Sequence, residues 1–277
     1  MFFMSKFPVA LQLYSVRDFM EKDVEAPIKA VADMGYDGVE FAGTYGLTAA
    51  ELKAICEKYG VKPFSAHVPL VELLNDLEKA VAYYKELGCE YMVIPYLPGE
   101  YQLPNDFTVL YDPIKKIGEC VSANGMTLLY HNHDFEFNKL GDEYMLDLIY
   151  SNVPETLLKT QLDTCWVKVG GEDPAEYVRK YSGRAPVVHL KDFSGSKSEN
   201  MYALIGLDDT SETKASENSK FQLRPCGYGC QNFSEILSAA HDAGTKWVVV
   251  EQDTASDDMS SLECAAKSFE HISSLNK

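Results

Sequence analysis

The sequence predicts a single (β/α)8 barrel of the TIM type, an α/β fold occupying residues 1–277 as one domain, on three observations. Six helix-compatible stretches end in a glycine that is followed within a few residues by a short apolar run, the exit of a helix into a buried strand. Most strand starts lie roughly 25 to 36 residues apart, which matches a βαβ unit of about 30 residues. The runs are apolar on both faces, as strands of a covered parallel sheet are. With 277 residues, 46% of them hydrophobic, the chain is long enough to bury one such core.

In order, VALQLYS (9–15) is the first predicted strand. Gly35 precedes GVEFAG (38–43), Gly60 precedes KPFSAHV (62–68), Gly88 precedes EYMVIPY (90–96) and Gly125 precedes MTLLYHNH (126–133). The sixth strand, LLKTQLD (157–163), follows a helix that ends near Asn152 without a glycine. Gly183 then precedes APVVHLKDF (185–193), and Gly244 precedes KWVVVEQD (246–253). Thr48 with Glu51 forms a capping box, and Asp173 before Pro174 sets a cap ahead of a first-turn proline. Between strands seven and eight, residues 194–222 are rich in Ser, Glu, Lys, Asn and Asp; they read as a long loop over the barrel mouth, either a lid or a plain insertion.

Composition excludes several classes. A formal charge of −17, from 42 acidic and 25 basic residues, repels a phosphate backbone and argues against nucleic acid. No basic start followed by an apolar stretch and no unbroken apolar run of about 18 residues occurs, so no membrane partner is expected and the expected location is cytoplasmic. Seven cysteines, an odd and scattered set, read as reduced thiols; Cys226 and Cys230 lack the second pair of a zinc knuckle.

The active site of such a barrel lies at the C-terminal ends of its strands. There the sequence places Glu40 (strand two), His67 (three), His131 and His133 (five), Asp163 (six), His189 and Lys191 (seven), and Glu251 and Asp253 (eight). Four of the six histidines fall at these ends, with carboxylates on other strands, a pattern that points to a shared metal. Strand side chains repeat every two residues, so His131 with His133, His189 with Lys191, and Glu251 with Asp253 each face the same way.

The segments VHLKD (188–192), QLDTCW (161–166), YHNHDFEF (130–137) and VVEQD (249–253) resemble the xylose isomerase-like barrels, a superfamily of sugar isomerases and epimerases, inosose dehydratases and endonuclease IV. The resemblance covers essentially the whole chain. It implies a metal held by four residues from strands five to eight, of which Asp163, His189 and Glu251 carry over directly; His131 takes the place of the family's strand-five glutamate. A slipped alignment would instead match Phe135 and Glu136 to a substrate-binding pair and put Tyr130 at the ligand position. Two imidazoles and two carboxylates suit Mn, Zn, Co or Fe(II) better than the oxygen-preferring Ca, and the single divalent ion expected is one of Mn, Zn, Co, Fe or Mg. A dimer or tetramer is common in the family.

One divalent ion at such a site polarises a carbonyl or hydroxyl oxygen and stabilises the enolate formed when the neighbouring carbon loses its proton. Glu136 and Glu251 are candidate bases, with Glu40 a third. His67 and Lys191 are candidate acids or oxyanion partners. Glu40, His133, Trp166, Arg224 and Asp253 are candidate substrate contacts, Trp166 by stacking on a sugar face. Gly227-Tyr228-Gly229 with Arg224 occupies the region where many barrels grip phosphate, but a bare Gly-x-Gly is also an ordinary tight turn. The scarcity of mouth-region Arg and Lys favours a non-phosphorylated sugar or polyol. In endonuclease IV a histidine ligand stands where this chain has Trp166, which with the acidic charge argues against a nuclease. The first expectation is therefore a sugar isomerase or epimerase working through an enediolate. The second is a lyase that follows the same proton abstraction with β-elimination, as in inosose dehydratase or on a keto-glycoside. The third is a carbohydrate-binding barrel without catalysis.

Overall fold

The computed structural model describes residues 6–198, 201–202, 221–256 and 258–277. Eight parallel strands close into a barrel: β1 Val9–Gln12, β2 Gly38–Phe41, β3 Lys62–His67, β4 Tyr91–Ile94, β5 Thr127–His131, β6 Lys159–Asp163, β7 Val187–Leu190 and β8 Trp247–Val250. Each pairs with its sequence neighbours, and β8 pairs with β1 to close the ring. All eight predicted strands are present, each shorter than its predicted run; in the fifth, seventh and eighth the polar residues beyond His131, Leu190 and Val250 belong to the loops at the mouth.

The helix ends follow local chemistry. All six glycines that precede a predicted strand adopt positive φ; at Gly60, φ of 73° lets its N–H cap the preceding helix, a conformation that a Cβ would strain. Both expected start signals form: Thr48 and Glu51 make the reciprocal capping box, and Asp173 caps the helix Pro174–Lys180.

The barrel interior is layered. Its floor is apolar, built from Ala10, Phe64, Tyr91, Val93, Leu129, Val187, Trp247 and Val249. Phe64 and Trp247 stack at 4.3 Å. Gly38 has to be small, because a Cβ there would lie 2.8 Å from the Lys62 carbonyl oxygen and 3.0 Å from the Trp247 ring. The β2 to β3 register skips Phe64, pairing Val39 with Pro63 and Glu40 with Ser65. That bulge lets Phe64 plug the floor while Ser65 and His67 take the inward phase.

Beyond β7 the chain forms a hairpin, Asp192–Ser194 against Gln222–Arg224. Its arms bracket most of the segment expected as a long loop or lid, whose residues 199–200 and 203–220 lie outside the described residues.

Candidate functional site

Above the apolar floor the inward positions turn polar. Glu40 is fully buried and its carboxylate accepts from Gln12 Nε2 (2.8 Å), Ser65 Oγ (2.6 Å) and Gln161 Nε2 (2.6 Å). The Nε2 atoms of His189 and His67 approach the same carboxylate at 2.8 and 3.1 Å. Burial by itself would raise the Glu40 carboxyl; the facing His67 and His189 outweigh it and hold the group well below the usual carboxylate range. The Gln161 carbonyl oxygen in turn meets His67 Nε2 at 2.7 Å and His131 Nδ1 at 3.1 Å.

One layer higher, His131, Asp163, His189 and Glu251 bring one ligand atom each to within 4.8 Å of one another, all four buried. His131 Nε2 is 3.7 Å from Asp163 Oδ2, and His189 Nδ1 is 2.9 Å from Glu251 Oε2. A second triple, His67, His131 and His189, is equally close. Its nitrogens are the less suited to an ion, since Nε2 of both His67 and His189 is committed to Glu40. Asp163 Oδ1 accepts from the Cys165 and Trp166 backbone N–H groups at the start of the helix Thr164–Val169, which fixes the carboxylate plane and turns Oδ2 toward the quartet.

The Lys191 ammonium completes the cluster, 3.1 Å from Asp163 Oδ2, 2.9 Å from Glu251 Oε2 and 2.9 Å from Asp253 Oδ2. Burial would lower the Lys191 amine, and Asp163, Asp253 and Glu251 together hold it well above its ordinary value. Glu251 is held low because Lys191 and His189 outweigh the burial that would raise it. Burial raises Asp163, and it pushes Asp253 up to about 6 against the pull of Lys191. Burial also keeps His131 neutral, far below the ordinary imidazole value, and takes His133 down to about 3. For His189 the pull of Glu40 and Glu251 overcomes burial and carries it to about 10. Four buried carboxyls thus face one ammonium and one imidazolium, and in two of the four burial outweighs the pull of Lys191 and drives the group toward protonation.

These residues fit a divalent ion. The donor set is mixed N and O, Asp163 Oδ2 has no aligned hydrogen-bond donor among the described residues, and the excess negative charge is what a cation offsets.

A cavity of about 450 Å³ opens above the cluster. His67, His131, His133, Lys191, Glu251 and Asp253 form its reactive wall, and Tyr14, Pro69, Tyr84, Pro95 and Tyr96 its apolar wall. The His133 Nδ1 atom has no hydrogen-bond partner among the described residues.

Four expected residues lie away from that wall. Glu40 sits beneath the histidines with both oxygens engaged. Glu136, in the turn Phe135–Phe137, accepts from Tyr130 Oη (2.6 Å) and the His133 N–H (2.8 Å), and its buried carboxyl is pushed up to about 8. It stands on the helix side of β5 because Tyr130 has the opposite strand phase from His131. Trp166 is fully buried against Phe221 and Tyr202, with Lys191 Nζ 5.3 Å from its ring centre. Arg224 Nε donates to Ser194 Oγ across the hairpin.

The Gly227 to Gly229 turn is already gripped by an anion from the chain itself. The buried Asp192 carboxylate accepts N–H groups from Gly227, Gly229 and Gln231, and also that of Phe193. The backbone donors that would hold a phosphate are therefore spent. All seven cysteines are free thiols.

Gln12, Ser65 and Gln161 were not among the candidates read from the sequence. The signal was present: each stands one strand period before or beside a named residue, Gln161 two before Asp163 and Ser65 two before His67.

The sequence matches a family described as xylose isomerase-like TIM barrel over residues 28–275. It is 24% identical over 279 residues to an inosose dehydratase of Clostridium beijerinckii, covering 91% of this chain and 89% of that protein. The fold resembles that of a sugar phosphate isomerase/epimerase from Parabacteroides distasonis, with a TM-score of 0.77 at 21% identity over 99% of this chain and 96% of that one. It also resembles an IOLI protein whose structure holds a zinc atom, with a TM-score of 0.68 at 13% identity and 97% coverage of both chains.

Proposed function

The chain belongs to the xylose isomerase-like TIM-barrel family, and from that premise we propose that it is a divalent-metal-dependent carbon–oxygen lyase that removes water, or another β-substituent, from a non-phosphorylated keto-sugar or keto-polyol. The observation that carries this reading is the buried cluster of His131, Asp163, His189 and Glu251 with the Lys191 ammonium, set under a cavity of sugar-accommodating size. The placement of lyase ahead of isomerase or epimerase reverses the sequence expectation and is supported by the inosose dehydratase relative.

His131, Asp163, His189 and Glu251 would hold the ion. When bound, it supplies Lewis acidity toward the substrate's carbonyl oxygen. Asp253 stands on the cavity wall with a carboxylate less committed than that of Glu251, and it takes the proton from the carbon next to the carbonyl. The C–H electron pair moves toward the carbonyl oxygen, whose developing charge Lys191 stabilises. Collapse of the enolate forms the C=C bond and breaks the C–O bond at the β-carbon, and the departing hydroxide takes the proton back from Asp253 and leaves as water. His133, whose Nδ1 has no hydrogen-bond partner among the described residues, and His67 orient the hydroxyls. The commitment of the Gly227 to Gly229 amides to Asp192 supports a substrate without phosphate.

Metal analysis, then proton NMR in deuterated water with ketoses, inososes and keto-glycosides, tests the proposal. Release of water or an alcohol from one of them supports the lyase. Deuterium in a rearranged or recovered substrate with no lost group would replace it by the isomerase or epimerase. Sugar binding without any exchange would leave the non-catalytic binding barrel.

A further inference from the structure

We propose that Glu40 and Gln161 are positioning residues that set which nitrogen of His131 and His189 is offered to a metal. The argument begins with Glu40, because the Gln12 and Gln161 amides can only donate at 2.8 and 2.6 Å from a carboxylate and Ser65 donates at 2.6 Å. An anion so placed only accepts, and His189 Nε2, 2.8 Å away, therefore carries a proton. The same contact orients the Gln161 side chain. With its NH2 directed to Glu40, its carbonyl oxygen is the atom that faces His67 Nε2 and His131 Nδ1, so both of those nitrogens are protonated as well.

His131 Nε2 stands 3.7 Å from Asp163 Oδ2, an atom that receives no aligned hydrogen bond among the described residues, so the ring's lone pair lies on Nε2. His189 has Nδ1 directed at Glu251 Oε2. On His131 the nitrogen left to bind is Nε2; on His189 it is Nδ1, the one not held by Glu40, which gives up to an incoming ion the proton it shares with Glu251. One buried carboxylate and one amide, neither of them a ligand, thus fix which nitrogen of each ring is withheld from an ion, as the outer partners of metal-binding histidines do. The inference rests on the metal reading for its purpose only. The proton positions follow from Glu40 whether or not an ion is bound.

The test is two-bond proton–nitrogen correlation NMR of metal-free protein carrying 15N-labelled histidine, with zinc and manganese titrations read in parallel by calorimetry. Expected in the unmodified protein is a His131 protonated on Nδ1 and a His189 protonated at Nε2. Glu40→Gln should change the His189 pattern, Gln161→Met should release His131 to the Nε2-protonated form, and each should weaken metal binding about 10- to 100-fold. Ser65→Ala, which removes one donor to Glu40 and neither histidine contact, should leave both patterns in place. A His131 protonated on Nε2 in the unmodified protein, or histidine patterns unmoved by both Glu40→Gln and Gln161→Met, would overturn the proposal. Should Glu40→Gln not fold, the unmodified protein and Gln161→Met decide it. If the unmodified protein takes up neither ion, the metal reading fails separately and the histidine patterns still judge this inference.

Discussion

Asp163 and His189 each supply one of the four ligands of the quartet, so Asp163→Ala and His189→Ala should each lose the bound ion on metal analysis of the purified variants. Full occupancy in both would remove the quartet from consideration. Asp253 contacts Lys191 but is no member of the quartet. Asp253→Asn should therefore keep its metal and lose about 10²- to 10⁴-fold in kcat on the identified substrate, the usual worth of a general base. Glu136 gives a prediction about stability. Its carboxyl lies near 4.5 in the unfolded chain and about 8 in the fold, raised first by burial and also by Asp134, against the hydrogen bonds from Tyr130 and His133. The folded state holds the extra proton, so this stabilisation is complete below about 4.5 and is lost as the pH climbs through 8. Unfolding curves from pH 5 to 8 should show the unmodified protein losing stability relative to Glu136→Gln by at most ~1.4 kcal/mol per pH unit. Parallel curves for the two proteins would refute an ionisation at that site.

At the scale of elements, the hairpin after β7 depends on Asp192. Its carboxylate satisfies four backbone N–H groups, and a Cβ on Gly229 would fall 2.2 Å from its Oδ1. Asp192→Ala should cost about 3 kcal/mol or more in a denaturant titration, because buried donors are left without partners. A loss under about 0.5 kcal/mol would show that water replaces the carboxylate. This turn also marks a limit of sequence reading. Gly227-Tyr228-Gly229 announces a tight turn, but that its amides face inward onto Asp192 depends on a contact across 35 residues or more. The strand-end residues were more legible, since a two-residue period and the barrel's polarity put His131, His189, Lys191, Glu251 and Asp253 at the mouth. Glu136 and Trp166 were less so. Both follow the end of a strand, where the chain enters a turn or helix and the two-residue period no longer says which way a side chain points.

For the whole molecule, occupancy of the site should be readable as stability. An ion that binds only the folded barrel adds about 2.7 kcal/mol at a hundredfold excess over its Kd. Thermal unfolding after chelation should therefore show a lowered Tm that rises again with added zinc or manganese. A midpoint insensitive to both would mean that the folded barrel has no special affinity for them. The closed eight-stranded ring could be read from the rhythm of glycines and apolar runs because each unit repeats a local signal. The strand phase of the polar layer's residues was legible too, but not their partnering, because Gln12, Glu40, Ser65, Gln161 and His189 meet only after the ring has closed. That late meeting has a consequence for assembly. Five strands contribute to bonds around one carboxylate, and shifting any of them by one residue would withdraw its polar group from the interior and turn a neighbour inward, an apolar one in every case but Thr160. Glu40 would then be stranded without its donors. The layer therefore acts as a checksum on strand register, penalising misaligned closures that the interchangeable valines and leucines around it would tolerate.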